Sequence, residues 1–596
     1  MQIKSQKYAY VLVTVTVMAA AAFVFPFSTA GGQTPPENEV AQHTEEQASV
    51  APAPAPEPEP QSYEAANPAP DTLAALRYLP EQAQAALGIP SAAGLMERVV
   101  PFAQLFLSGI DLAAEIELIA SDLATDMEVS NEGGIVGVLA AMGLDSRAGM
   151  ALFIDMEDVV QAYAEALAQN KVPDSDALSK IKAMLVIPVN DPVKAEASLM
   201  KLLGELLSGN ELTETVVEGI TIKAYAGMGG YFISDAVLAL GNDMDMLADA
   251  AKRVDSPAQF QYGSTVCPPG DIHEVVALIY GDRILPFVDM FKEQIALLEP
   301  SLQVLVKAQV ERIRKIYQDA AVREPLIITG KVDEASLEIK SKLNTDLYPG
   351  IMEYMGKATP LDWAQRLPER TLSFLSLNFT EEFKKQLTDE YIHYLPEEVR
   401  NSPGTSQGIM YAENVLQLFG GEVTIGAANA QSIGYPGIYF ITELADAEGS
   451  EIFLQMAPQS DYETPYRDVQ IKQIQAPLPV AVYFAVVDGA LVVSNDVEGM
   501  RGIIDLAKDT KTSGLFENLQ PPIPVNMPLY QAFMVRLSLY SDVIAPLAAI
   551  AGQELPGDIT PIIDMAATLF DNLQIRNGME GAWSVWSFCA ARQTDQ

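Results

Sequence analysis

The sequence predicts an α+β fold: a tandem duplication of a mostly antiparallel sheet unit packed with long apolar or amphipathic helices. Three observations predict it. The stretch YFISDAVLALGNDMDMLADAAKRV (231–254) returns as FAVVDGALVVSNDVEGMRGIIDLA (484–507), 253 residues later, each copy reading strand, turn, strand, helix. The strands are joined by short turns, which only antiparallel neighbours allow. Long apolar stretches at helical spacing lie between them, such as MERVVPFAQLFLSGIDLAAEIELIASDL (96–123) and the series Leu302, Leu305, Val306, Val310, Ile313, Tyr317.

From the start of the chain, Lys4 and Lys7 precede an apolar run from about Tyr8 to Phe27, and Ser28 and Ala30 sit where a small-residue cut would fall. Residues 1–30 therefore read as a secretory signal peptide, with an uncleaved membrane anchor as the alternative, since the run is long. Residues 31–68 alternate Pro with Ala and Glu, which favours an extended, stiff, acidic tether without the apolar content to fold. The first copy is read as 69–346, a connection as 347–366, the second copy as 367–590 and a tail as 591–596.

Five further matches carry the duplication. Thr72-Leu73 and Thr371-Leu372 open the copies at an offset of 299, and YGDRILPF (280–287) parallels YSDVIAPL (540–547) at 260, setting Asp282 against Asp542. GITIKAY (219–225) parallels DVQIKQI (468–474), and AMLVIPVNDPVKAEASLMKLL (183–203) roughly parallels GIYFITELADAEGSEIFLQM (437–456). LIITGKVDEASLEIKSKL (326–343) parallels LQIRNGMEGAWSVWSF (573–588), where Asn577-Gly578 is a type I′ turn signal, as is Asp488-Gly489 earlier. Asp243 and Asp496 each precede a helical pattern, where Asp caps exposed N–H groups. The drifting offsets assign the first copy about 40–50 extra residues near its front, in the apolar stretch 96–123.

The 596 residues carry 79 acidic and 37 basic side chains, a net charge of −42, which repels nucleic acid and anionic lipid headgroups. Cys267 and Cys589 are the only cysteines; in an exported chain they are a candidate disulfide, with two separate thiols as the alternative. No HExxH pair, CxxC pair, GxSxG elbow or phosphate-binding GxxxxGK[ST] loop occurs, and no cofactor or metal is expected. Histidine is confined to His43, His273 and His393; His273 aligns with Phe533 at the 260 offset, which argues for packing. The carboxylates of GNDMDMLAD (241–249) lack the spacing of a calcium loop and read as a helix cap.

A signal peptide, a Pro-rich tether and recurrent strand–turn–strand–cap–helix units together resemble the bacterial exported family catalogued as domain of unknown function 3352. The carrying residues are APDTLAAL, VIPVNDPVKAEASLMKLL, YFISDAVLALGNDMDMLADA and YFAVVDGALVVSNDVEGMRGI, and the resemblance spans most of 70–590. It implies an envelope location and transfers no catalytic residue.

The expectation is an exported protein of the periplasm or cell envelope of a bacterium, non-enzymatic, acting by binding or scaffolding. The alternatives are a periplasmic carrier of lipid or another apolar ligand, and a hydrolase without a recognisable motif. The expected partner is an envelope protein or an apolar ligand, with membrane contact only through an uncleaved N-terminal segment.

Overall fold

The computed structural model describes residues 74–104, 111–168, 180–207, 211–226, 229–255, 273–280, 324–333, 336–348, 357–388, 416–429, 436–445, 459–474, 481–509, 515–524, 527–539 and 567–592. The signal segment, the tether, Thr72-Leu73, Cys267, Asp282, residues 302–317, His393 and Asp542 lie outside them.

The first half contributes strands β1 (Ala85–Ile89), β2 (Met150–Asp155), β3 (Lys182–Pro188), β4 (Leu212–Val217), β5 (Ile220–Tyr225), β6 (Gly229–Ile233), β7 (Val237–Gly241), β8 (Val275–Tyr280), β9 (Pro325–Val332) and β10 (Ser336–Asn344). The second contributes β11 (Thr371–Asn378), β12 (Phe419–Ala428), β13 (Gly437–Leu444), β14 (Gln459–Tyr466), β15 (Val469–Ile474), β16 (Val482–Val487), β17 (Ala490–Ser494), β18 (Leu529–Arg536), β19 (Phe570–Glu580) and β20 (Trp583–Arg592). The described helices are α1 (Leu112–Met127), α2 (Gly134–Ala141), α3 (Glu157–Ala168), α4 (Pro192–Leu207), α5 (Met244–Ala251), α6 (Asp362–Gln365), α7 (Glu381–Leu387), α8 (Val497–Lys508) and α9 (Leu515–Asn518), with a 3-10 turn at Ala74–Tyr78 and helical turns over 92–104.

All 20 described strands form one antiparallel sheet. Its order from edge to edge is β4-β5-β6-β7-β3-β2-β1-β8-β9-β10, then β20-β19-β18-β11-β12-β13-β17-β16-β15-β14. The second ten repeat the first ten in reverse, so the order has a pseudo-dyad between β10 and β20. Lys342 pairs with Val585 and Glu338 with Cys589, the same step seen from either side, since 342 and 589 stand 247 apart, as do 338 and 585. Lys340 opposite Ser587, again 247 apart, lies on the dyad.

Following the register outward gives each residue a mate. The separation is 256 for β8 and β18 (Leu278, Met534), 288 for β1 and β11 (Ala86, Phe374), 273 for β2 and β12 (Phe153, Gly426), 255 for β3 and β13 (Met184, Tyr439), and 253 for β7 and β17 (Gly241, Ser494). The first half is therefore longer by 15 residues between β1 and β2 (288 against 273) and by 18 between β2 and β3 (273 against 255). The single insertion expected near its front is two smaller ones, and α3 lies in the second of them.

Several expectations are corrected. Among the described residues the fold is not two sheet units packed with long apolar helices but one continuous sheet, and the longest helices there, α1 and α4, have 16 residues each. The stretch 96–123 does not form one apolar helix: Asp111 caps a new helix at α1 by accepting from Ala114 N at 2.9 Å. That helix buries only Ala120, Ala124 and Met127, and exposes Leu118. The 299 offset fails because Thr371-Leu372 open β11, whose counterpart β1 begins at Ala85. The 260 offset is displaced by four residues: Tyr280 ends β8, and its mate by register is Arg536, not Tyr540. Asn577-Gly578 is not a turn. Both residues lie within β19, and the hairpin turns at Gly581-Ala582, with Gly581 at φ +63°. Gly578 answers a different demand, because a Cβ there would lie 2.3 Å from the Pro528 carbonyl of the neighbouring segment.

The sheet buries an inner face under short elements. In the first half the 3-10 turn and α5 lay Leu76, Tyr78, Met246 and Leu247 onto Phe153, Met184, Ala239 and Leu278. In the second half α6, α8 and α9 lay Trp363, Met500, Ile503 and Phe516 onto Phe374, Tyr439, Ile441 and Val492. Alternation does this directly: strand residues two apart share a face, so in β2 Ala151, Phe153 and Asp155 all turn inward. On the outer face of the first half, α4 packs Ala195 and Leu199 on Ile187, Tyr231 and Leu238.

Candidate functional site

Between the two inner cores runs a polar strip. Directly paired residues on antiparallel strands share a face, so Thr329, Lys340, Ser587 and Arg576 form one row across β9-β10-β20-β19. Lys331, Glu338, Cys589 and Gln574 form the next. Apolar residues of the two cores flank the strip on the neighbouring strands, Val276 and Leu278 of β8 on one side and Ala532 and Met534 of β18 on the other. Arg576 is 7% exposed, and its guanidinium donates through Nη2 to Gln574 Oε1 at 2.8 Å. Gln574 Nε2 in turn donates to Asn572 Oδ1 and the Pro521 carbonyl, both at 3.0 Å. Lys340 pairs with Glu338 at 3.3 Å and Lys342 with Glu580 at 3.0 Å. Arg576 Nε and Thr329 Oγ1 are buried without a hydrogen-bond partner.

Cys589 lies in this strip as a free, buried thiol, and Cys267 is outside the described residues, so the candidate disulfide is not part of the described structure. Burial pushes the Cys589 thiol up to about 12, against a smaller opposing pull from Arg576. Burial also pulls the Arg576 guanidinium below its ordinary value. A thiol so far from ionising is a poor nucleophile.

A second charged cluster belongs to the second half alone. Arg370 Nη2 and the Tyr439 hydroxyl both donate to Asp496 Oδ2, at 2.7 and 2.9 Å, while the buried Asp496 Oδ1 has no partner. Asp496 stands at the N-cap of α8 without making a side-chain cap bond. Its mate Asp243 caps α5 normally, accepting from Met246 N at 2.9 Å. The exchange has a steric origin. Tyr439 replaces Met184, and Gly499 replaces Met246, so the phenol occupies space that methionines fill in the first half. Burial, and next the bond to Asp496, raise the Tyr439 hydroxyl, which makes it a donor rather than a base.

Two further buried carboxylates serve the fold. Glu422 accepts from Trp363 N and Ala364 N at 2.8 and 2.7 Å and from the Ser376 and Thr424 hydroxyls at 2.8 and 2.7 Å, holding the start of α6. Glu274 pairs with Arg98 and accepts from Val332 N at 2.9 Å. Burial raises both carboxyls. His273 is 5% exposed, and the register sets Ala277 rather than His273 as the mate of Phe533. In 241–249, Asp243 caps α5, and Asp249 binds Glu81 N and Lys252, both at 3.1 Å. No group of three or more His, Cys, Asp or Glu that could hold a metal ion occurs among the described residues. None of their helices is long and apolar enough to cross a membrane.

The outer face differs between the halves. In the second half Leu375, Ile425, Ile438 and Val486 are 37, 48, 55 and 39% exposed, and Leu375 and Ile425 pair directly. Their mates Leu87, Leu152, Ala183 and Ile233 are partly buried, and Ile233 packs against the cluster that contains α4. Sequence reasoning missed Arg576, Arg370, Tyr439 and this face, because only the register reveals which residues share a side of the sheet.

No family model matches the chain, and neither a curated protein nor a solved structure matches it.

Proposed function

We propose that the chain is an exported, non-enzymatic envelope protein that acts by binding a partner protein or as a scaffold. The observation that carries this reading is the apolar outer face of the second half, where Leu375, Ile425, Ile438 and Val486 stand exposed at positions whose mates are covered or partly buried. Exposed apolar groups gathered on one face mark interaction surfaces. The Lys-flanked apolar N-terminus followed by Ser28 and Ala30 supports export. The buried charges support no catalytic role: Glu422 is saturated with hydrogen bonds, Tyr439 holds its proton, and Cys589 is a protonated thiol.

The test is a photo-crosslinking residue at Ile438 of the full chain in its native host, with Glu381, 84% exposed on α7, as the control position. A discrete protein adduct at Ile438, absent at Glu381 and lost on Leu375→Ser with Ile425→Ser, is the expected result. Crosslinks to lipid alone would replace this reading with the carrier. Turnover in a broad substrate screen would end the non-enzymatic assignment.

A further inference from the structure

The polar strip holds a buried arginine that has no carboxylate partner of its own among the described residues. Two other arginines near the cores meet buried carboxylates: Arg98 meets Glu274, and Arg370 meets Asp496 at 2.7 Å, each acid with 1% of its side chain exposed. Arg576 differs. It is itself buried, its hydrogen-bond acceptor is the neutral amide of Gln574, and it makes no salt bridge among the described residues. The nearest acid in the strip, Glu338, is already paired with Lys340 at 3.3 Å. One carboxylate thus serves two cations. A guanidinium stays charged at any working pH, and burying it without a counter-charge is strongly unfavourable.

Hydroxyls able to donate lie in its row. Ser587, 3% exposed, stands between Lys340 and Arg576 in the same row, and the unpartnered Thr329 Oγ1 ends that row. The strip reaches solvent at Lys340 and Glu338, whose side chains are 23 and 20% exposed. We propose that the strip is a binding site for an oxyanion, a carboxylate or phosphate group on a small ligand, held by Arg576 and Lys340. The fork of an arginine matches two oxygens of such a group, and a lysine adds a point charge. The mates of Arg576 and Lys340 are Thr329 and Ser587, so the dyad does not duplicate the site, and each chain takes one ligand. The site is separate from the outer face, on the opposite side of the sheet.

The experiment is titration calorimetry and thermal melting of the full chain with sodium phosphate, citrate and sodium chloride at matched ionic strength. A saturable response to phosphate or citrate at one site per chain is expected, weakened on the order of ten-fold by Arg576→Gln and by Lys340→Gln. A response to phosphate but not citrate identifies a phosphate-bearing ligand, and the reverse a carboxylate-bearing one. If Arg576→Gln fails to fold, Lys340→Gln, on a part-exposed side chain, decides the matter. A response that chloride reproduces, or one that survives Lys340→Gln unchanged, overturns the proposal.

Discussion

Gly499→Ala exchanges a glycine in the first turn of α8 for the best helix former, a change that by propensity alone stabilises by up to about 1 kcal/mol. The packing around it predicts the opposite sign. A Cβ at this position would lie 2.0 Å from the Tyr439 hydroxyl, 2.7 Å from Tyr439 Cζ and 2.7 Å from Asp496 Oδ2. Neither neighbour can retreat easily. Tyr439 is fully buried in the core, and Asp496 is held by Arg370. Overpacking of this kind costs about 1–3 kcal/mol, and pushing the phenol off the carboxylate loses a charged hydrogen bond of about 1.5–3 kcal/mol. Set against the propensity gain, the net is a destabilisation of about 3 kcal/mol. Urea unfolding followed by tryptophan fluorescence reads it, because Trp363 lies in the same core. A second variant isolates the cause: Tyr439→Phe removes the atom at 2.0 Å, so the alanine should cost about 1–2 kcal/mol less in that background. Equal costs in both backgrounds, or a net gain in stability, would refute the account of why tyrosine and glycine replace two methionines here.

Four other outcomes follow from the geometry. Gly489 sits at φ +84° with nothing within 4 Å of its Cβ position, so Gly489→Ala should cost about 1–2 kcal/mol through backbone strain alone, read as a lower urea midpoint. Gly578→Ala should cost more, because its Cβ meets the Pro528 carbonyl at 2.3 Å; a smaller loss than at Gly489 contradicts the close-approach explanation. With its thiol at about 12, Cys589 should react with a thiol reagent at pH 8 about 10³-fold more slowly in the folded protein than an ordinary thiol, measured in Cys267→Ser; labelling at an ordinary rate refutes it. The folded Glu422 carboxyl holds its proton above the usual range, so its contribution is complete below the unfolded pKa of about 4.3 and is lost as pH rises through the raised value. The melting temperature of wild type minus that of Glu422→Gln should therefore fall from pH 4 to pH 8, and a rise rejects the sign.

Much of the local structure was legible in the sequence. The strand–turn–strand–helix unit recurs as β6-β7-α5 and β16-β17-α8, because alternation, the turn residues at Asp235 and Asp488-Gly489, and the Asp at each helix start are written within about 24 residues. GITIKAY and DVQIKQI are mates in the register for the same reason, with Lys223 and Lys472 each opposite an aromatic residue, Tyr231 and Phe484. What failed was long-range or competitive. Asn577-Gly578 has strong turn chemistry, but its glycine is there to let a neighbouring segment approach, a demand that no local window contains. The apparent match around Tyr280 and Tyr540 preserves residue types and loses the register by four. The apolar stretch 96–123 reads as extra apolar helix on hydrophobicity alone, whereas the structure starts a new helix at the Asp111 cap. The strip was invisible for a different reason: Lys340, Arg576 and Cys589 come from three strands, and only pairing brings them to one face.

The junction of β10 with β20 has a consequence for how the molecule is made. Each of these strands closes its own half, and they are joined to each other by nine residue pairs, from Ser336 with Ala591 to Asn344 with Trp583. A chain emerging from its N-terminus completes the first ten strands and is left with β10 as a raw edge, its backbone donors and acceptors unsatisfied, for as long as the following 238 residues take to appear (345 to 582). Open edges recruit the wrong strand as readily as the right one. Productive folding is therefore a race between the arrival of β20 and the capture of β10 by another chain. Trimming even the last strand should leave β10 open and promote assembly through it.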